Sequence, residues 1–251
     1  MRAFAKNARA NPPLKSHAMG LQLIHAIELP ANLGAGGFDH ADIHPASSRL
    51  YVAHTVNHAL DVIDCVADKY LHSIPNLTGV AGALVSAQRD LVFTSNRGEN
   101  TVSVFLAGRE TETARVAVGL RPNGLSFDAV RGHLLAANVG DPAVASSFTL
   151  SVVDVASAAM IASIPVPGRT RWTVFDAQAD AFYVNIADPA QIVVVAGSAP
   201  HRVARTIDIP TAGPHGLDLD VWRSAAYSAL VMRRNWSPWT RKPARCKAPW
   251  S

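Results

Sequence analysis

The chain contains no apolar run near the roughly 18 residues that a bilayer-spanning helix requires, so no membrane span is expected. It has only two cysteines, Cys65 and Cys246, and no Cys-x-x-Cys, which excludes a disulfide framework. Glutamate is scarce, at four residues, which leaves little for chemistry that relies on paired Glu. Helical periodicity between the apolar segments is lacking. Sixteen Gly and sixteen Pro among 251 residues point to many turns instead. Residues 1–18 carry Arg2, Lys6, Arg9 and Lys15 but no apolar stretch of the secretory type, and read as a basic leader outside the fold.

What is present is a globular composition. The chain is 49% hydrophobic and 17% charged, below the roughly 25% usual for soluble domains. A net charge of +4 suggests a nucleic-acid partner, but the distribution of charge argues against one. Residues 19–232 hold 13 Lys/Arg against 19 Asp/Glu, a net of −6. The excess of positive charge sits in residues 1–18 and 233–251. No basic face with interleaved aromatics runs through the body, so no nucleic-acid partner is expected.

The body repeats. The segment RLYVAH (Arg49–His54) recurs as LVFTSN (Leu91–Asn96), HLLAAN (His133–Asn138) and AFYVNI (Ala181–Ile186). Its anchors Tyr51, Phe93, Leu135 and Tyr183 are spaced 42, 42 and 48 residues apart. A second series follows: ALDVID, TVSVFL, TLSVVD and QIVVVA, centred on Val62, Val104, Val152 and Val194, with spacings of 42, 48 and 42. The two irregular intervals place one insertion near Val139–Ser147. Each unit has four short alternating segments with turn residues between them, as in Phe38–His44, Arg49–His54, Ala59–Asp64 and Tyr70–Ile74. Four strands in a unit of about 40–45 residues is the pattern of a β-propeller blade.

The expected fold is therefore all-β. It is a propeller of about four complete four-stranded blades over residues 37–214, with partial blades at either end. Leu21–Leu29 is expected to be a strand that completes a blade made elsewhere in the chain, and PHGLDLD (Pro214–Asp220) opens a fifth blade. The propeller domain spans residues 19–221. NRGEN (Asn96–Asn100) reads as a hairpin with Gly98 free to take positive φ.

The segments YVAHTVNHALDVID, FTSNRGENTVSVF and AANVG…LSVVD resemble the YVTN-repeat propeller family over about residues 21–220. The resemblance implies the fold and leaves the chemistry open. Related propellers include lactonases and cofactor-bearing oxidoreductases as well as proteins with no assigned activity.

Beyond Asp220 the pattern stops. Residues 233–251 hold three of the five Trp, six Lys/Arg and no acid. Read one base earlier, the codons of residues 224–251 permit strands of the repeat type. Residues 222–251 are therefore expected to be an out-of-frame basic tail, poorly ordered, on a C-terminally truncated propeller.

Chemistry in a propeller sits where the inner strands begin, at one mouth of the channel. Eleven and twelve residues before each anchor stand Asp39–His40, Ala81–Gly82, Asn123–Gly124, Arg171–Trp172 and His215–Gly216. Asp39, His40, Asn123, Arg171, Trp172 and His215 are thus the candidate ligand-binding residues. Together they could hold a small molecule, an anion through Arg171, or a divalent metal through N/O ligands. No catalytic residue is assigned and no cofactor is required.

Other motifs exclude chemistry. HADIH (His40–His44) has the spacing of HExxH, but Ala41 replaces the Glu and the segment is a strand. GAGG (Gly34–Gly37) lacks the Lys-Ser/Thr of a phosphate loop, and GLSFD (Gly124–Asp128) is not a nucleophile elbow. Asp64 and Asp154 are expected to cap turns. The expected function is a non-catalytic module that binds a small ligand or a protein at the channel face. A metal-assisted, lactonase-like hydrolase is the alternative.

Overall fold

A computed structural model describes residue 23, residues 25–210 and 213–220, and the backbone alone of Ala225–Leu230. The strands fall into four four-stranded antiparallel sheets and one two-stranded sheet. Sheet one contains β1 (Ala41–His44), β2 (Arg49–His54), β3 (Ala59–Asp64) and β4 (Lys69–Ile74). Sheet two contains β5 (Val80–Ser86), β6 (Leu91–Asn96), β7 (Thr101–Leu106) and β8 (Glu112–Ala117). Sheet three contains β9 (Pro122–Asp128), β10 (His133–Asn138), β11 (Thr149–Asp154) and β12 (Ala159–Pro165). Sheet four contains β13 (Thr170–Asp176), β14 (Ala181–Ile186), β15 (Gln191–Ala196) and β16 (Val203–Asp208). The fifth pairs β17 (Pro214–Asp220) with β18 (Ala225–Leu230).

The two sequence series share a period because they are cross-strand partners. Tyr51 faces Val62, Phe93 faces Val104, Leu135 faces Val152 and Tyr183 faces Val194. The middle strands are covered on both faces, which explains their near-continuous apolar runs. The outer strands β4, β8, β12 and β16 show substantial exposure along their length, as does the short inner strand β1. The core is a set of layers between successive sheets. One layer joins Tyr51 and Val62 to Val92 and Phe105, and another joins Leu135 and Val152 to Phe182 and Val193. Burial of such side chains contributes roughly 1.5–3 kcal/mol each, which holds neighbouring blades face to face.

Turn chemistry follows the repeat. Asp64 Oδ1 accepts the Val66 and Ala67 amides, and Asp154 Oδ1 accepts those of Ala156 and Ser157. In the first three sheets the middle pair also buries a polar tie. Asn96 donates through Nδ2 to Thr101 Oγ1 and Ser103 Oγ, both at 3.0 Å. Asn138 repeats this with Thr149 and Ser151. In sheet one the same place is taken by His54 and Asp61, fully buried and 2.9 Å apart.

Three expectations need correction or completion. Leu23 and residues 25–29 form no strand, and Leu23 is exposed. The incomplete blade it would close shows β17 and β18 alone among the described residues, and the segment pairs with neither. In the β6–β7 hairpin the left-handed residue is Asn100 (φ 58°), not Gly98. Gly98 is needed for space, since a Cβ there would lie 3.0 Å from the Thr78 carbonyl oxygen. Past residue 221 the sequence shows no strand period, yet the backbone of β18 pairs with β17, Leu217 facing Ser228. The basic leader and residues 231–251 lie outside the described residues.

The dense histidines have structural partners. His44 joins Ser47 and Asp90, His54 joins Asp61 and Asn32, and His58 Nδ1 accepts the Gly79 amide. Cys65 is a free, exposed thiol.

Candidate functional site at the channel mouth

A β-bulge sets the direction of the candidate residues. In sheets three, four and five the pairing of the inner strand slips where it begins, between Pro122 and Leu125, Thr170 and Thr173, and Pro214 and Leu217. Asn123–Gly124, Arg171–Trp172 and His215–Gly216 are the residues left out of register. Such a bulge re-aims side chains. Neighbouring strands are stitched together at this level. His40 N donates to Ala81 O, Ser95 Oγ to Asn123 O, and Asn185 Nδ2 to the carbonyls of His215 and Gly216.

The glycines of this level are there for backbone approach. A Cβ on Gly124 would lie 2.6 Å from the Arg171 carbonyl oxygen, and one on Gly82 would strike that of Asn123. Sheets one and four carry rings at the same level instead. Those rings, His40 and Trp172, stack with centroids 4.0 Å apart, so the first and fourth sheets meet across the inner rim. Below them a cavity of about 260 Å³ follows the inner strands, with Leu125, Phe127, Trp172 and Phe175 among its walls.

The structure brings five of the six candidates into one electrostatic group, and Asn123 lies against it through Gly124. Asp39 bonds His40 Nδ1 at 2.9 Å and faces Arg97 at 3.4 Å. Burial lowers the pKa of Arg171, and Arg169 and Arg97 lower it further. Burial likewise lowers that of Arg97; Asp39 opposes the shift, while Arg121 and Arg169 add to it. His215 is pushed down by burial first, then by Arg171 and His40, with Asp39 opposing. Among these residues three buried polar atoms find no hydrogen-bond partner within the described part of the chain: Arg97 Nε, Arg171 Nε and Asn123 Oδ1. Among the described residues no group of three or more His, Cys, Asp or Glu stands together as a metal site.

Arg97, Arg121 and Arg169 lie off the inner-strand level that the anchor spacing marks. The signal was available. Arg121 and Arg169 both lie fourteen residues before their anchors, where the other blades have Gly37, Gly79 and Gly213. Gly79 and Gly213 are left-handed there (φ 62° and 76°), and so is Arg121 (φ 58°). A non-Gly residue in that region costs roughly 1–2 kcal/mol, and such strain gathers at functional sites. Arg121→Gly is expected to stabilise the fold by about 1 kcal/mol, measured as a higher urea midpoint. A lower midpoint would show that the arginine side chain offsets its own strain.

The depressed pKa of His215 has a sign. The unfolded chain takes up the proton first, so this group withdraws stability as pH falls through the ordinary value near 6.5 toward the lower folded value. His215→Gln should therefore lose less stability between pH 7.5 and 5.5 than the wild type, as read from urea midpoints. Equal losses would contradict the assignment.

Among solved structures the chain is similar to hydrazine synthase of Kuenenia stuttgartiensis, at 16% identity with a TM-score of 0.66. The match covers 82% of this chain and 58% of that one, so the chain spans little more than half of its length. No family model and no curated protein matches the chain. Four four-stranded antiparallel sheets packed in sequence, together with this likeness, show that the fold is a β-propeller.

Proposed function

We propose that the chain is a YVTN-type propeller that acts as a non-catalytic binding module, with a small ligand held at the channel mouth. One observation carries this reading: Arg97 Nε, Arg171 Nε and Asn123 Oδ1 are buried without a partner among the described residues, and Asp39, which faces Arg97, pairs with His40, whose ring stacks on Trp172. Buried donors and acceptors are normally satisfied, and a convergent set of them beside an aromatic wall is the chemistry of a small-molecule site.

The hydrolase alternative needs carboxylates and a base around a metal. Asp39 is the carboxylate of the inner-strand level, and it is engaged by His40 and Arg97. No feature of the mouth favours that alternative over binding.

The proposal includes the out-of-frame origin of residues 222–251. Resequencing the gene tests it: an insertion or deletion near codons 221–223 is expected, and an intact frame would refute it.

The binding reading is tested by screening a small-molecule library against the full chain with ligand-observed NMR. Hits should lose their signal with Trp172→Ala and with Arg171→Ala. Hits unaffected by both variants, or no hits, would overturn it.

A further inference from the structure

The mouth has a strong charge of one sign in a body whose sequence is net acidic. Four of the 13 Lys/Arg of residues 19–232 gather here: Arg97, Arg121, Arg169 and Arg171. The carboxylate set among them is Asp39, and it already pairs with His40. Beyond the effect of burial, Arg121 and Arg169 act to lower the pKa of Arg97, and Arg169 and Arg97 that of Arg171; such crowded guanidinium groups repel, and the fold tolerates this where a ligand brings the balancing charge.

A second cavity lies beside this cluster, with a volume of about 330 Å³. Arg121 and Arg169 stand on its wall with Pro142, Phe148, Pro167 and Asp188. The carbonyl oxygen of Asp188 also lies close against Gly168. One side of the cavity is the insertion of the third blade between β10 and β11, which Ser147 closes through Oγ, accepting from the Asp141 N–H and donating to the Asp141 carbonyl oxygen. The insertion and the two arginines thus belong to the same blades, the third and fourth, and make one recess. A volume of this size takes a small molecule rather than a peptide or nucleic-acid strand.

Resting on the binding reading above, we propose that this recess and the adjoining mouth bind a compact multivalent oxyanion. Its charged oxygens lie against Arg97, Arg121, Arg169 and Arg171, and its remaining atoms against Pro142, Phe148 and Pro167. Guanidinium groups match carboxylate and phosphate oxygens in pairs, so di- or tricarboxylates and phosphate esters share the required chemistry. Asn123 Oδ1 adds an acceptor for a hydroxyl on the ligand.

The test is calorimetry on the full chain at low ionic strength with citrate, inorganic pyrophosphate, glucose and spermidine. Citrate, pyrophosphate or both should bind with one site per chain, and whichever is tighter names the source of the oxyanion. Glucose and spermidine should not bind. Arg97→Gln and Arg169→Gln should each weaken the anion by about tenfold or more, whereas Arg233→Gln and Arg234→Gln in the basic tail should leave it unchanged.

The inference is overturned if neither anion binds at about 10 mM. It is also overturned if the tail variants abolish binding while the mouth variants do not. Glucose binding that is lost in Trp172→Ala, with no anion binding, would sink the anion and keep the mouth as a site. No binding by any of the four would sink this inference, and a library screen without hits would sink the binding reading with it.

Discussion

Asp61→Ala is expected to destabilise the protein by about 3 kcal/mol, the largest effect of any single polar substitution in the first blade. Asp61 is fully buried and serves two partners. One oxygen takes His54 Nδ1 at 2.9 Å and the other takes Ser73 Oγ at 2.5 Å. His54 is itself fully buried, with Nε2 on Asn32 and its ring 4.1 Å from that of Phe38. Removing the carboxylate strands His54 Nδ1 where no water reaches, which costs far more than the net value of the bond, and leaves half-buried Ser73 with Tyr70 Oη as its partner. Asp61→Asn keeps an acceptor oxygen and should cost about 1 kcal/mol. Urea unfolding at constant m reads both values. A loss below about 0.5 kcal/mol for the Ala variant would show that the pair is dispensable.

Gly124→Val should cost about 2–3 kcal/mol and also distort the mouth. The obstacle is backbone, not a movable side chain: the Arg171 carbonyl oxygen lies 2.6 Å from the place of the new Cβ, and the Trp172 Cα 3.3 Å. The third blade can accept a larger residue here only by pushing away the strand that carries Arg171 and Trp172. The fall in urea midpoint should therefore be accompanied by a changed near-ultraviolet circular dichroism signal from Trp172. A variant of wild-type stability would contradict the close approach of β9 and β13.

The repeat was legible because its two series are physical partners. An anchor such as Tyr51 and a valine such as Val62 face each other across one hairpin, so both must recur with the same spacing. Asn96 and Asn138 belonged to the same legible pattern, and the structure shows why: each ties together the hydroxyls of the following strand. The level of the candidate residues was also legible, since it depends only on counting back from the anchor.

What could not be read was which residues meet across the arc. The stack of His40 on Trp172 joins the first and fourth blades, and no local period encodes that contact. The sequence does show that this level is Gly in blades two, three and five and a ring only in blades one and four. The arginines at 97, 121 and 169 were missed for a different reason. They stand in turns rather than on inner strands, and the basic ends of the chain masked a local cluster in an acidic body. The strand Ala225–Leu230 was missed because its pairing with β17 comes from backbone geometry, in a stretch whose side chains show no alternation.

The measurement that tests the account most directly is fluorine NMR of the full chain labelled with fluorotryptophan. The Trp172 resonance is assigned by its absence in Trp172→Phe, and citrate or pyrophosphate is then added. The account predicts that the Trp172 signal shifts with saturation and that Arg169→Gln moves the midpoint to higher ligand concentration. A titration that moves the other tryptophan signals and leaves Trp172 in place would contradict it.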